Sequence, residues 1–141
     1  MNSWTILTSV KRTSVALERR ADDLLRARAL QLTQLRLLVD IDDRHAAYSA
    51  QLAKDLLMSR QAVHHQLTGL LSRGALRDGP VGNQVRRVAL TSEGRDLVER
   101  GLRDLAPLLD RLAYRTDADA IVTMLAELAA TSRPPPPRWE L

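Results

Sequence analysis

The segment Ser59–Thr91, SRQAVHHQLTGLLSRGALRDGPVGNQVRRVALT, decides how the rest of the 141-residue chain is read. It opens with a serine suited to capping a helix. Val63, Leu67 and Leu70 then follow at i, i+4 and i+7, the spacing of one buried helical stripe. Gly74 ends that helix as the residue just past its cap. ALRD (Ala75–Asp78) and VRRVAL (Val85–Leu90) are strand candidates. GPVGN between them is turn chemistry, so the two pair as a hairpin. Thr91 is placed to cap the next helix. With Val63 turned inward, steps of about 100° per residue put Gln61, His64, His65 and Thr68 on the outer face.

The charge pattern of this segment is lopsided. From Leu56 to Arg77 there is no acid at all. Between Ser59 and Leu90 there are five arginines (Arg60, Arg73, Arg77, Arg86 and Arg87) and one acid, Asp78, so this stretch alone carries the net +4 of the whole chain. Such a concentration reads as a nucleic-acid footprint; the plainer alternative is a solvated basic face. A helix fits the major groove of B-DNA, and its N-terminal half reads the bases. Glutamine can pair with adenine, and histidine can donate to guanine or to phosphate. The Ser59 hydroxyl and the first free N–H groups of the helix suit a phosphate. A Gly/Pro/Asn turn flanked by Arg77, Arg86 and Arg87 suits backbone or minor-groove contact.

Working outward, Trp4 to about Ala29 reads as one long amphipathic helix with Val10, Leu17, Ala21 and Leu24 on a common face. Thr33 caps a second helix, QLRLLVDID (Gln34–Asp42), apolar enough to be central. DDRHAA (Asp42–Ala47) reads as a loop. Ser49 caps a third helix with Leu52, Ala53 and Leu56 inward. A break at Leu57–Met58 separates it from the helix that starts at Ser59, which describes a helix-turn-helix. Beyond the hairpin, Pro107 should interrupt or bend a long helix. Thr116 with Asp119 caps a last helix striped by Ile121, Leu125 and Leu128. RPPPPRWEL (Arg133–Leu141) is a polyproline-type tail.

Composition bounds the rest. Phe is absent and aromatics make up 3% of the chain, so the core must be Leu, Val, Ile and Ala, which favours helices. With no cysteine there is no disulfide, thiolate metal site or thiol switch. No apolar run approaches the roughly 18–20 residues of a membrane span, and no signal peptide is evident, so the expected compartment is the cytoplasm. There is no phosphate loop, no HExxH and no cysteine nucleophile, so the expectation is not an enzyme, with no cofactor and no metal. Asp22–Asp23 and Asp42–Asp43 read as caps rather than acid–base pairs. His64 and His65 point about 100° apart, and nothing at helical spacing supplies the third ligand a shared metal would need. DNA contact and a solvated pair remain for them.

Three stretches together resemble the MarR family of winged-helix transcription regulators. They are LTQLRLL (Leu32–Leu38), SAQLAKDLLMSRQAVHHQLTGLLSRGAL (Ser49–Leu76) and RRVALTSEGRDL (Arg86–Leu97). The resemblance covers about Thr8 to Thr131. Leu52–Ala53 match the Leu-Ala of the first reader helix, and Ser59 matches the polar start of the recognition helix. Arg60 sits at a position often occupied by Arg. Val63 and Leu70 match the buried stripe, Arg73–Gly74 the helix end, and Leu90–Thr91 with Gly94 the motif after the wing. Two departures stand out. Leu57 replaces the usual glycine, which points to a tighter or more helical turn. The wing is about two residues short, and its usual Asp-x-Arg falls on Gly82 and Gln84, leaving Arg86 or Arg87 to replace the minor-groove arginine or the wing to touch only phosphate.

The resemblance implies a mainly α winged helix-turn-helix protein with a helical dimerization region. The expected division is residues 1–32 and 101–132 for dimerization, 33–100 for the DNA-binding reader, and 133–141 for the tail. It implies a homodimer that binds double-stranded DNA at a pseudo-palindromic operator as a repressor. It also implies release by a small-molecule effector, with His45 and Tyr48 lining the ligand pocket. The stripes of the first and last helices fit core and dimer interface alike. The competing expectation is a protein-interaction module whose basic face docks an acidic partner.

Overall fold

The most apolar segment of the chain becomes its centre. In this computed structural model, which describes residues 2–79, 87–115 and 117–131, helix α2 (Leu32–Asp43) buries Leu35, Leu37, Leu38 and Ile41 almost completely. Around it lie α1 (Ser3–Leu25), followed by a 3₁₀ turn (Arg26–Arg28), then β1 (Ala47–Tyr48), α3 (Ser49–Asp55) and α4 (Arg60–Ser72). Next come β2 (Leu76–Asp78), β3 (Arg87–Leu90), α5 (Ser92–Arg115) and α6 (Ala118–Thr131). The stripe expected of α4 is fully buried at Val63, Leu67 and Leu70, and α3 contributes Leu52 and Ala53. The strands form one antiparallel sheet in the order β1-β3-β2, with Tyr48 opposite Arg87 and Leu76 opposite Leu90. The expected hairpin pairing of β2 with β3 is present. Its turn, with Gly82, Gln84 and Arg86, lies outside the described residues, as do Thr116 and the proline-rich tail.

Several caps differ from the sequence expectation. The start of α2 is held not by Thr33 but by two other groups: the Leu32 N–H donates to Asp22 Oδ1 of α1 at 2.7 Å, and the N–H of the capping residue Gln31 donates to Gln34 Oε1 in the first turn of α2 at 3.0 Å. Asp22 is therefore a cap, as expected, but for the helix ten residues on. Tyr48, with no side-chain cap bond, precedes α3, and Ser49 is its first helical residue. Asp117 Oδ1 accepts from Ala120 N at the start of α6. Part of the segment read as a loop is strand β1; two residues are too few to show an alternating pattern. In α1 the stripe expected through Val10, Leu17 and Leu24 reaches its own chain only near the end. Ala21 and Leu25 are buried, Leu17 and Leu24 half-buried, and Val10 exposed.

Three helices end in the same device. The N–H of Leu30, Met58 and Ala75 returns to the carbonyl of Leu25, Ala53 and Leu70, and the preceding N–H closes a shorter loop onto Arg26, Lys54 and Leu71. This is the Schellman arrangement, whose pivot adopts a left-handed backbone. The pivots are Ala29 (φ 50°), Leu57 (φ 54°) and Gly74 (φ 80°), so only the last uses the residue that adopts this backbone without strain.

The junction after β3 explains the Leu-Thr-x-x-Gly pattern. Thr91 Oγ1 accepts from Gly94 N at 3.0 Å, capping α5, and donates to the Gly74 carbonyl. The Thr91 N–H reaches the Ala75 carbonyl at 3.1 Å. A Cβ on Gly94 would stand 2.1 Å from that same carbonyl oxygen, so α5 can start at this point only on a glycine. Pro107, expected to interrupt or bend α5, lies within it. The chain divides into two units, Met1–Leu105 and Ala106–Leu141. In the second, Val122, Met124, Leu125 and Leu128 on α6 are all exposed.

Candidate nucleic-acid interface

The α3–turn–α4 segment presents the residues singled out from sequence. Ser59 Oγ accepts from Ala62 N at 3.0 Å, so it caps α4 as expected while its hydroxyl hydrogen stays available to donate. The N–H groups of Arg60 and Gln61, in the first turn, are among those that a helix leaves without an internal acceptor. Arg60, Gln61, His64, His65 and Thr68 are all exposed. Ser59, Gln61, Ala62, His64, His65 and Thr68 together line one shallow concavity. Ala62 was not picked out in the sequence; its small side chain gives no chemical signal. The Thr68 hydroxyl donates to the His64 carbonyl at 2.8 Å, so toward a ligand it offers lone pairs and its methyl group.

Arg44 bridges Asp40, at 3.3 Å, and Asp55, pinning the end of α2 to the end of α3. Arg77 is exposed on β2, opposite Ala89. Arg87 is different. It is half-buried, with its guanidinium 5.7 Å from the centre of the Tyr48 ring and its buried Nε without a hydrogen-bond partner among the described residues. Tyr48 is thus a cross-strand partner of Arg87. His45 is exposed in the α2–β1 turn at φ 63°, and no hydrogen bond or ring contact joins it to Tyr48 among the described residues. A second cleft lies between the α1–α2 connection and α4, lined in part by Asp22, Arg26, Gln31, Gln34 and His65. Among the described residues no group of three or more His, Asp or Glu gathers around a common point, and no helix is long and apolar enough to cross a membrane.

No protein-family model matches the chain, and no curated protein matches it in sequence. Solved structures do. Sco5413, a MarR family transcriptional regulator from Streptomyces coelicolor, superimposes with a TM-score of 0.80 at 21% identity, covering 92% of this chain and 94% of that one. The transcriptional regulator BldR from Sulfolobus solfataricus gives 0.83 at 12% identity, over 93% and 99% of the two chains. The fold is that of the MarR-family winged-helix regulators. The M. tuberculosis regulator MosR, solved in complex with DNA, shares it with a TM-score of 0.74 at 18% identity, over 91% of this chain and 98% of its own. Within this MarR-type fold α3 and α4 are the helix-turn-helix, and β2 and β3 are the wing. The departure at Leu57 does not tighten the turn or make it more helical: leucine takes the left-handed backbone itself, with its side chain 78% exposed.

Proposed function

We propose that the protein is a sequence-specific DNA-binding transcriptional regulator that acts as a homodimer on a pseudo-palindromic operator. The observation that carries this reading is the outer face of α4. Four side chains able to read base edges, at i, i+3, i+4 and i+7, stand exposed on a helix whose flanks hold exposed Arg60 and Arg77 and no acid from Leu56 to Arg77. Gln61, His64, His65 and Thr68 read bases. Ser59, Arg60 and Arg77 hold phosphates, with Arg87 and Arg86 at the wing. MosR, of the same fold, was solved with DNA bound. The exposed apolar residues of α1 (Trp4, Ile6, Leu7, Val10) and of α6 (Val122, Met124, Leu125, Leu128) support dimerization. Repression, with release by a small-molecule effector near His45 and Tyr48, completes the proposal.

The test is titration of the purified chain against duplexes selected from a random pool and against a random duplex, each at two salt concentrations. The reading requires affinity that falls steeply with salt, and a selected duplex bound at least about a thousandfold more tightly than the random one. Binding that is insensitive to both salt and sequence overturns it.

A further inference from the structure

The C-terminal end of the recognition helix is tied to a distant stretch of backbone. Arg73, the residue that ends α4, donates from Nη1 to the Ala29 carbonyl at 2.7 Å and from Nη2 to the Arg28 carbonyl at 2.9 Å. Both acceptors belong to the short connection between α1 and α2. That connection is itself fixed. Ala29 is locked in the left-handed pivot, and Leu30 is buried. Leu32 N is bonded to Asp22, and Arg28 Nε meets Asp104 Oδ2 of α5 at 2.9 Å. At Gly101 on α5 an added Cβ would lie 3.3 Å from a Leu30 methyl and 3.1 Å from a Leu35 methyl, so the connection sits close against that helix.

The other hold on α4 is apolar, through Val63, Leu67 and Leu70. Apolar burial is non-directional: it fixes the depth of a helix better than its tilt. A planar guanidinium forked over two carbonyls is directional. It also commits both terminal nitrogens to protein acceptors. We propose that Arg73 is a positioning residue: it clamps the end of the recognition helix to the α1–α2 connection and so sets sequence discrimination without itself holding DNA. This rests on the DNA-binding reading above.

The variants Arg73→Ala and Arg73→Lys test it in the full-length protein. Lysine keeps the charge but not the fork. The probes are a duplex selected from a random pool with the parent protein, and a random duplex. The clamp predicts that the ratio of selected to random affinity falls about tenfold in both variants, while random-duplex affinity and its salt slope keep the parent values. It also predicts faster amide hydrogen exchange in residues 26–32 and at the end of α4 in both variants. If lysine restores the parent ratio, or alanine weakens both duplexes alike and lowers the salt slope by about 0.9, Arg73 is a phosphate contact and the proposal falls. Unchanged exchange in both variants overturns the clamp by itself. A parent protein with no duplex preference overturns the DNA-binding reading and the role in discrimination, and exchange then decides the clamp alone.

Discussion

Leu57 offers a quantitative check on the helix-turn-helix turn. It pivots a Schellman helix end at φ 54° with its side chain 78% exposed. A left-handed backbone costs an L-residue roughly 1–2 kcal/mol, and glycine avoids that cost. Glycine loses more freedom on folding, which returns about 0.4–1 kcal/mol. The covered fifth or so of the leucine side chain contributes about 0.5 kcal/mol, taking roughly 1.5–3 kcal/mol for full burial. Leu57→Ala loses that apolar contact without relieving the backbone, so it should destabilise by about 0.5 kcal/mol. Leu57→Gly relieves the backbone as well, and should be about 1 kcal/mol more stable than the alanine variant and slightly more stable than the parent. The comparison of alanine with glycine is the decisive one, since both lose the side chain. Urea unfolding at one fixed protein concentration reads it, since the midpoint of any chain that self-associates moves with concentration. Equal stability of the alanine and glycine variants would mean that the turn is not left-handed in solution, and the account of this departure from the family pattern would be wrong.

Other expectations follow from the same geometry. Gln61→Ala or His65→Ala should relax preference at particular base pairs by about 1–3 kcal/mol each. Arg77→Ala should weaken binding to all duplexes alike and lower the salt slope by about 0.9; sequence preference that shifts with Arg77 and not with Gln61 would reverse these roles. Leu125 is 43% exposed within one chain, so Leu125→Asp costs little in a monomer but about several kcal/mol in a buried interface. Sedimentation should find the variant monomeric and the parent dimeric at micromolar concentration, and a monomeric parent refutes the dimer. The Glu93 carboxylate is held below its usual range by its own backbone N–H first, then by the Ser92 hydroxyl. Its contribution is present above the ordinary carboxylate range and lost as pH falls through the lowered value. Glu93→Gln should therefore be less stable than the parent at neutral pH and match it in acid, as melts across pH 2–7, about that range, would show.

What the sequence disclosed depended on how local the signal was. The α4 stripe, the Gly74 stop, the Thr91 cap and the central apolar helix each declare themselves within a few residues, and all hold in the structure. The Asp22 cap on α2 did not, because the group bonded to Leu32 N sits on another helix; the local Gln31–Gln34 cap was passed over because Thr33 is the nearest residue of the usual capping type. Strand β1 escaped for the same reason: Ala47 and Tyr48 are a strand only because β3 is there to pair with. Exposure of the α4 face was legible from periodicity alone. The packing of Arg87 over Tyr48 was not, since it joins residues far apart in the chain and turns an arginine read as a DNA contact into one that is half-buried. Arg73 was visible only as one more positive charge at a helix end.

The charge asymmetry of the sequence survives folding because of where the acids go. A chain with only four more basic than acidic side chains could fold so that each arginine of the helix-turn-helix and wing met a carboxylate, leaving no basic face. Instead several carboxylates are engaged by groups other than the arginines of the helix-turn-helix and wing. Asp22 caps α2, and Asp23 pairs with Arg26 at 2.7 Å. Asp40 and Asp55 share Arg44, and Asp104 takes Arg28. Among the described residues no ion pair holds Arg60 or Arg77. The more exposed of these pairs, such as Arg26–Asp23, add little to stability individually. Their consequence is electrostatic placement: each removes an acid from the set that could neutralise α4, so a modest net charge becomes a one-sided field. A field of that kind attracts a polyanion from a distance before any base is read, and weakens with salt as the screening length shortens. It follows that Asp55→Asn, which removes a carboxylate already bridged to Arg44, should change affinity for a random duplex far less than adding one carboxylate on the exposed outer face of α4 by Gln61→Glu.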